Sequence, residues 1–191
     1  MKKALAIGLA LSAGMLCAQE FKLGSQVSDF QVRDLDGQPV AFSALKGPLT
    51  VVTFIATQCP VSNSYNQRMI DLYKDYASKN VKFIFINANR SEPASEVRDH
   101  ARRVGFPFAV YKDPGNVLAD RFDAQVTPES FVIDSSGTIR YHGSIDDSME
   151  ESHVRVRRLR AALDAVLAGK PVPSAETKAF GCTIKRVRKA S

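Results

Sequence analysis

The sequence predicts an α/β protein with parallel strands at its centre. Two uninterrupted apolar runs, LTVVTFIA at 49–56 and VKFIFINAN at 81–89, carry that expectation together with the stretch of helical spacing between them. A strand without polar alternation is buried on both faces. Two such strands joined by a helix pair in parallel through a right-handed crossover.

Ahead of the first buried strand, DFQVRDLDGQPVAFSALKG has two short alternating runs around Asp36-Gly37, which predict an N-terminal β-hairpin, and then a helical turn from about Ser43. From Pro60 to about Lys79 the spacing is helical, with Met69, Leu72, Tyr73 and Tyr76 along one side. Residues 93–104 form a helix that Gly105 closes, FAVY a short strand and GNVLADRF a short helix. SFVID and TIRYH flank Ser135-Ser136-Gly137 as an antiparallel hairpin. Ser148 and Glu151 have capping-box spacing, which predicts a helix running to about Ala168 and ended by Gly169. Residues 170–191 hold two prolines and no periodicity, so they read as an extended tail that carries Cys182 and can swing.

The first 18 residues read as a leader. Lys2 and Lys3 precede an apolar run from Ala4 to Ala18, too short for a membrane anchor and shaped like a secretory signal cleaved after Ala18. The expectation is a periplasmic or secreted protein without stable membrane insertion, with one domain over 19–169. Cys17 belongs to the leader, and Leu16 before it is not the small residue that a lipidated cysteine needs. Cys59 and Cys182 then remain, an even count that reads as a pair where disulfides persist.

The formal charge of +6 is concentrated late, in HVRVRRLR at 153–160 and KRVRK at 185–189. Val154, Val156, Leu159, Ala162, Leu163 and Val166 give the first run an apolar face. It therefore reads as an amphipathic helix with a solvated basic side, and not as a nucleic-acid surface. His100, His142 and His153 lack ligand spacing, so neither metal nor cofactor is expected. Tyr141, His142, Asp146 and Asp147 in YHGSIDD leave a strand beside a helix start, where Asp most often caps.

The chemistry centres on ATQCPVSNS, residues 56–64. Cys59 is the last residue off a buried strand, and Pro60 suits the first position of a helix because its missing N–H would be unpaired there anyway. A thiolate at a helix N-terminus is stabilised by free backbone N–H groups and the helix dipole. Cys59 is therefore the candidate nucleophile. The alternative, a buried inert cysteine, fits a strand-to-helix corner less well.

The runs DLDGQPVAFSALKG, VVTFIATQC and VTPESFVIDSSGTIRYHG resemble the thioredoxin-like superfamily in its exported redoxin branch, the AhpC/TSA, TlpA and ResA relatives. The resemblance covers roughly residues 24–168. It implies a thioredoxin-like fold with a central mixed sheet flanked by helices, an attacking Cys59, and a cis proline at Pro128 whose loop, with Thr127, receives extended substrate backbone. Without the resemblance, Pro128 reads as a trans strand start. Ser62 stands where a dithiol motif carries its second cysteine. It cannot exchange with sulfur, and is either a hydrogen-bond donor to the Cys59 thiolate or a plain first-turn residue. The peroxide-site pattern of peroxiredoxins is missing around both Cys59 and Ser62, and Asn63 replaces the second thiol of the copper chaperones of this fold. The tail also resembles exported relatives in its Phe-Gly-Cys-x-Ile-Lys pattern: Phe180, Gly181, Cys182, Ile184 and Lys185. Fully extended, the residues from Gly169 to Cys182 reach ~40 Å, about the diameter of such a domain, so the tail thiol can reach Cys59.

Three readings follow. The first is a thiol-disulfide oxidoreductase acting on protein or small-molecule thiols and disulfides, with Cys59 attacking and Cys182 resolving. The second is a thiol peroxidase in which Cys59 passes through sulfenic acid. The third is a redox-inert binding module stapled by a Cys59–Cys182 disulfide.

Overall fold

The computed structural model describes residues 20–188; the leader expected at 1–18 lies outside them, as does Lys189 of the second basic run. Asp36-Gly37 turns the hairpin between β1 (Gln31–Arg33) and β2 (Pro39–Ala41), and the helical turn follows as α1 (Phe42–Leu45). The two apolar runs become β3 (Leu49–Ile55) and β4 (Val81–Asn87), paired in parallel along their whole length. β5 (Val110–Lys112) extends β4 in parallel and pairs antiparallel with β1. On the other side of β3 lie β7 (Glu129–Ile133) and β8 (Ile139–Gly143), both antiparallel. The seven-stranded mixed sheet has the order β2-β1-β5-β4-β3-β7-β8.

Because side chains alternate along a strand, β3 feeds two cores. Val52 and Phe54 face Phe30, Phe42, Leu118, Phe122 and Phe131. Leu49, Val51 and Ile55 face Met69, Leu72, Tyr76, Leu159 and Leu163. The first core is closed by α5 (Val117–Arg121). The second lies under α3 (Asn66–Ala77), α4 (Ala94–Val104) and α6 (Arg158–Leu167). Burying β3 and β4 on both faces fixes the corner at the end of β3 from two sides.

Three expectations need correction. The helix expected from Pro60 is two helices, α2 (Pro60–Ser64) and α3, broken at Tyr65. The Tyr65 side chain is drawn inward, its hydroxyl lying 2.7 Å from Asp146 Oδ1 and 2.8 Å from the Ser148 carbonyl. The capping box at Ser148 is followed only by a single 3-10 turn at Glu151–His153 and opens no α-helix. Arg68 captures the Ser148 and Met149 carbonyls, Asp147 accepts the Arg155 and Val156 amides at 3.0 and 3.1 Å, and α6 starts only at Arg158, with the Leu159 amide on the Ile145 carbonyl. Val154 and Val156 are therefore no part of its apolar face, and Val156 is exposed.

The third correction concerns the tail, which in the disulfide-bonded protein is docked on the domain on both sides of Cys182. Thr177 donates its amide to the His142 carbonyl, and the His142 amide donates to Ala175. Past Cys182, Ile184 is 3% exposed in the first core, the Lys185 amide reaches Asn89 Oδ1 at 2.7 Å, and the Val187 amide reaches Asn116 Oδ1 at 2.7 Å. Between these anchors, β9 (Cys182–Thr183) pairs antiparallel with β6 (Val126–Thr127), just ahead of β7.

Candidate active site

Cys59 is the N-cap of α2, with extended backbone (φ −91°, ψ 115°) and Pro60 in the first turn. Its Sγ accepts the Ser62 amide at 3.2 Å, which satisfies one of the helix's free N–H groups with sulfur. The Ser62 hydroxyl turns the other way and accepts the Ala56 amide at 3.1 Å. In the disulfide-bonded protein the Ser62 backbone reaches the sulfur and its side chain ties α2 to the end of β3.

Opposite Cys59 stands the loop of Thr127 and Pro128. Their peptide bond is cis, and the Thr127 carbonyl oxygen lies 3.4 Å from Cys59 Sγ. Cys182 faces Thr127 in the β9–β6 register and is disulfide-bonded to Cys59, with 5.8 Å between the Cα atoms. Pro60, Ser62, Thr127, Pro128 and both cysteines thus converge at one corner. Gly181 makes the approach possible: its φ is +156°, and a Cβ there would fall on the Thr127 carbonyl. Phe180, one residue earlier, packs edge-on to Tyr65 with 6.3 Å between ring centres.

Glu92, Lys112 and Glu129 join this corner although no motif around Cys59 includes them. Glu92 is 1% exposed and receives the Thr57 and Gln58 amides at 2.8 and 3.2 Å, so it holds the two residues just before Cys59. Burial works against its charge, but the bonds from Thr57, Asn87 and Asn89 outweigh it and hold the carboxyl below its usual range. Nearby Lys112 donates to Asn87 Oδ1 and to the Asn89 and Glu92 carbonyls, and burial lowers its affinity for the proton. Glu129, next to Pro128, accepts the Gln125 and Val126 amides at 2.7 and 3.1 Å and meets His142 Nε2 at 2.6 Å. His142 is thereby a brace for the cis-proline loop, stacked on Phe131. Asp146 forms a buried ion pair with Arg68 at 2.6 Å, while the Tyr141 hydroxyl lies between the Ser144 carbonyl and the Thr177 hydroxyl. Burial and the bond to Asp146 push the Tyr65 hydroxyl pKa up.

A model of the AhpC/TSA family matches residues 23–142, which include Cys59, Thr127 and Pro128. The chain belongs to the AhpC/TSA family. It is similar to the thiol-disulfide oxidoreductase ResA of Bacillus thuringiensis (strain Al Hakam), 28% identical over 135 residues, 70% of this chain and 77% of that protein. A crystal structure of an uncharacterized conserved protein from Geobacillus kaustophilus superposes with a TM-score of 0.82 at 32% identity, covering 89% of this chain and 95% of the other. The solution structure of a putative thioredoxin from Neisseria meningitidis matches with a TM-score of 0.54 at 27% identity, over 63% of this chain and 79% of that one. The fold of this AhpC/TSA-family chain is thioredoxin-like, as the motifs around Cys59 imply.

Proposed function

We propose that this protein is a thiol-disulfide oxidoreductase in which Cys59 is the nucleophile and Cys182 the resolving thiol. One observation carries the reading: the two cysteines are bonded across a cis-proline loop, with Cys59 Sγ on a helix amide. In the reduced protein, the Cys59 thiolate attacks a substrate disulfide. The substrate S–S bond breaks, one substrate sulfur leaves as thiolate, and a mixed disulfide forms at Cys59. Cys182 then attacks Cys59 Sγ, which expels the second substrate thiolate and leaves the Cys59–Cys182 disulfide. Two electrons have passed to the substrate, and an external thiol reductant returns them. Ser62 cannot replace Cys182 in this scheme, because a hydroxyl does not exchange with sulfur. Export by a leader at residues 1–18 belongs to the same proposal, since a thiol pair cycling through a disulfide suits an oxidising compartment.

A second reading has a specific observation in its favour. The tail is anchored on both sides of Cys182, as a permanent staple would be. The reduction potential separates the two. Exchange-active disulfides lie at roughly −120 to −270 mV, and structural ones in secreted proteins below about −300 mV. Equilibration in thiol redox buffers is expected to place the Cys59–Cys182 couple in the higher range. A value well below about −300 mV would leave the staple as the function of the bond.

A further inference from the structure

Glu92 takes no part in the exchange steps, yet it is bound to both sides of the disulfide. Its Oε2 receives the Thr57 amide and Asn87 Nδ2, and its Oε1 receives the Gln58 amide and Asn89 Nδ2 at 2.8 Å. Thr57 and Gln58 lead directly into Cys59. Asn89 uses its other end, Oδ1, to hold the Lys185 amide, three residues beyond Cys182, and the Arg90 amide holds the Lys185 carbonyl. We propose that Glu92 is a positioning residue for the thiol pair, setting Cys59 through Thr57 and Gln58 and Cys182 through Asn89 and Lys185. The inference rests on the exchange reading of the two cysteines.

The arrangement needs a carboxylate and rejects an amide of the same size. All four groups pointing at Glu92 are N–H donors. With an amide nitrogen in place of Oε1, the nitrogen meets the Gln58 amide and Asn89 Nδ2; Asn89 can escape only by flipping, which turns its Nδ2 on the Lys185 amide and breaks that one link to the tail. With the nitrogen in place of Oε2, it meets the Thr57 amide, which cannot flip, and Asn87, whose flip turns an NH2 group on the Lys112 ammonium. Either choice breaks the link on one side of the disulfide.

The test is the equilibrium of the full chain with glutathione, in which one oxidised glutathione is consumed and two glutathione thiols are released for each Cys59–Cys182 bond formed. Glu92→Gln should lower this equilibrium constant by about tenfold or more, the scale of a lost hydrogen bond to a charged group. Asn89→Ala should lower it by about fivefold, since of the two bonds it loses, to Glu92 Oε1 and from the Lys185 amide, only the second, a neutral one, reaches the tail. The double variant should fall short of the product of the two, because both act through one network. A Glu92→Gln protein that folds and equilibrates as the parent does would overturn the proposal. So would an unchanged Asn89→Ala protein, which also carries the test should Glu92→Gln not fold. If the parent's bond does not equilibrate with glutathione at all, the exchange reading falls. Glu92 is then judged by the difference in unfolding stability between oxidised and reduced protein, which Glu92→Gln must shrink and which an unchanged difference would refute.

Discussion

The two cysteines of one disulfide are held by different kinds of structure. Cys59 is fixed by the fold itself, at the end of a strand buried on both faces and at the cap of a helix whose amide meets its sulfur. Cys182 lies in a two-residue strand on an added tail, between an anchor at Thr177 and another at Ile184. The first position follows from local chemistry, and the second from captures across distant parts of the chain. The framework should therefore behave alike in the oxidised and reduced protein, whereas the short segment around β9 should depend on the bond.

Removing the bond gives the largest expected effect. The disulfide closes 123 residues, and the chain-entropy model assigns such a loop ~5 kcal/mol. Cys182→Ser should lose stability of that order in urea unfolding against the oxidised parent. It should also accumulate mixed disulfides at Cys59, visible on non-reducing gels, because no second thiol resolves them. Full turnover without adducts would mean that an external thiol does the resolving, and the tail would then be an anchor alone.

A smaller effect separates segment from framework. Gly181→Ala places a methyl group on the Thr127 carbonyl at a φ that other residues rarely adopt. Conformations of that class cost about 1–3 kcal/mol. In the oxidised protein the cost should appear in full, since the disulfide forces β9 against β6. In dithiothreitol it should shrink, because β9 can then lift away. An equal loss in both states would show that the anchors hold the segment as firmly as the bond does, and the contrast between the two cysteines would weaken.

The same contrast explains what was legible in the sequence. Asp36-Gly37, the β-branched run of β3, Pro60 after Cys59 and Gly105 after α4 are local signals, and each element appears where its signal stands. The cis bond at Pro128 came from the family motif, because residues alone favour a trans strand start. The capping box at Ser148 misled because Arg68, some eighty residues earlier, takes the carbonyls that a helix there would use. Glu92 was invisible for the same reason: its donors Thr57 and Gln58 are 35 and 34 positions away. A clue did exist in NANRSE at 87–92, since a buried strand that ends in two asparagines and a glutamate must satisfy those polar groups internally.

The smallest expected effect is one of acidity. The Glu92 carboxyl is held below its ordinary value, so its charge contributes stability that is fully present above the unfolded-state pKa of about 4.3 and is lost as the pH falls through the lower folded value. Glu92→Gln has no such titration. Its deficit against the parent should therefore stay constant from about pH 7 to pH 5, above that unfolded-state value, and narrow on further acidification. Chemical denaturation at a series of pH values measures it. The bonds that hold the charge come from Thr57, Gln58, Asn87 and Asn89, all on the framework side, so the narrowing should persist in the reduced protein. Were it to vanish on reduction, the carboxylate would owe its environment to the docked tail, and Cys59 would be held by the same captures as Cys182.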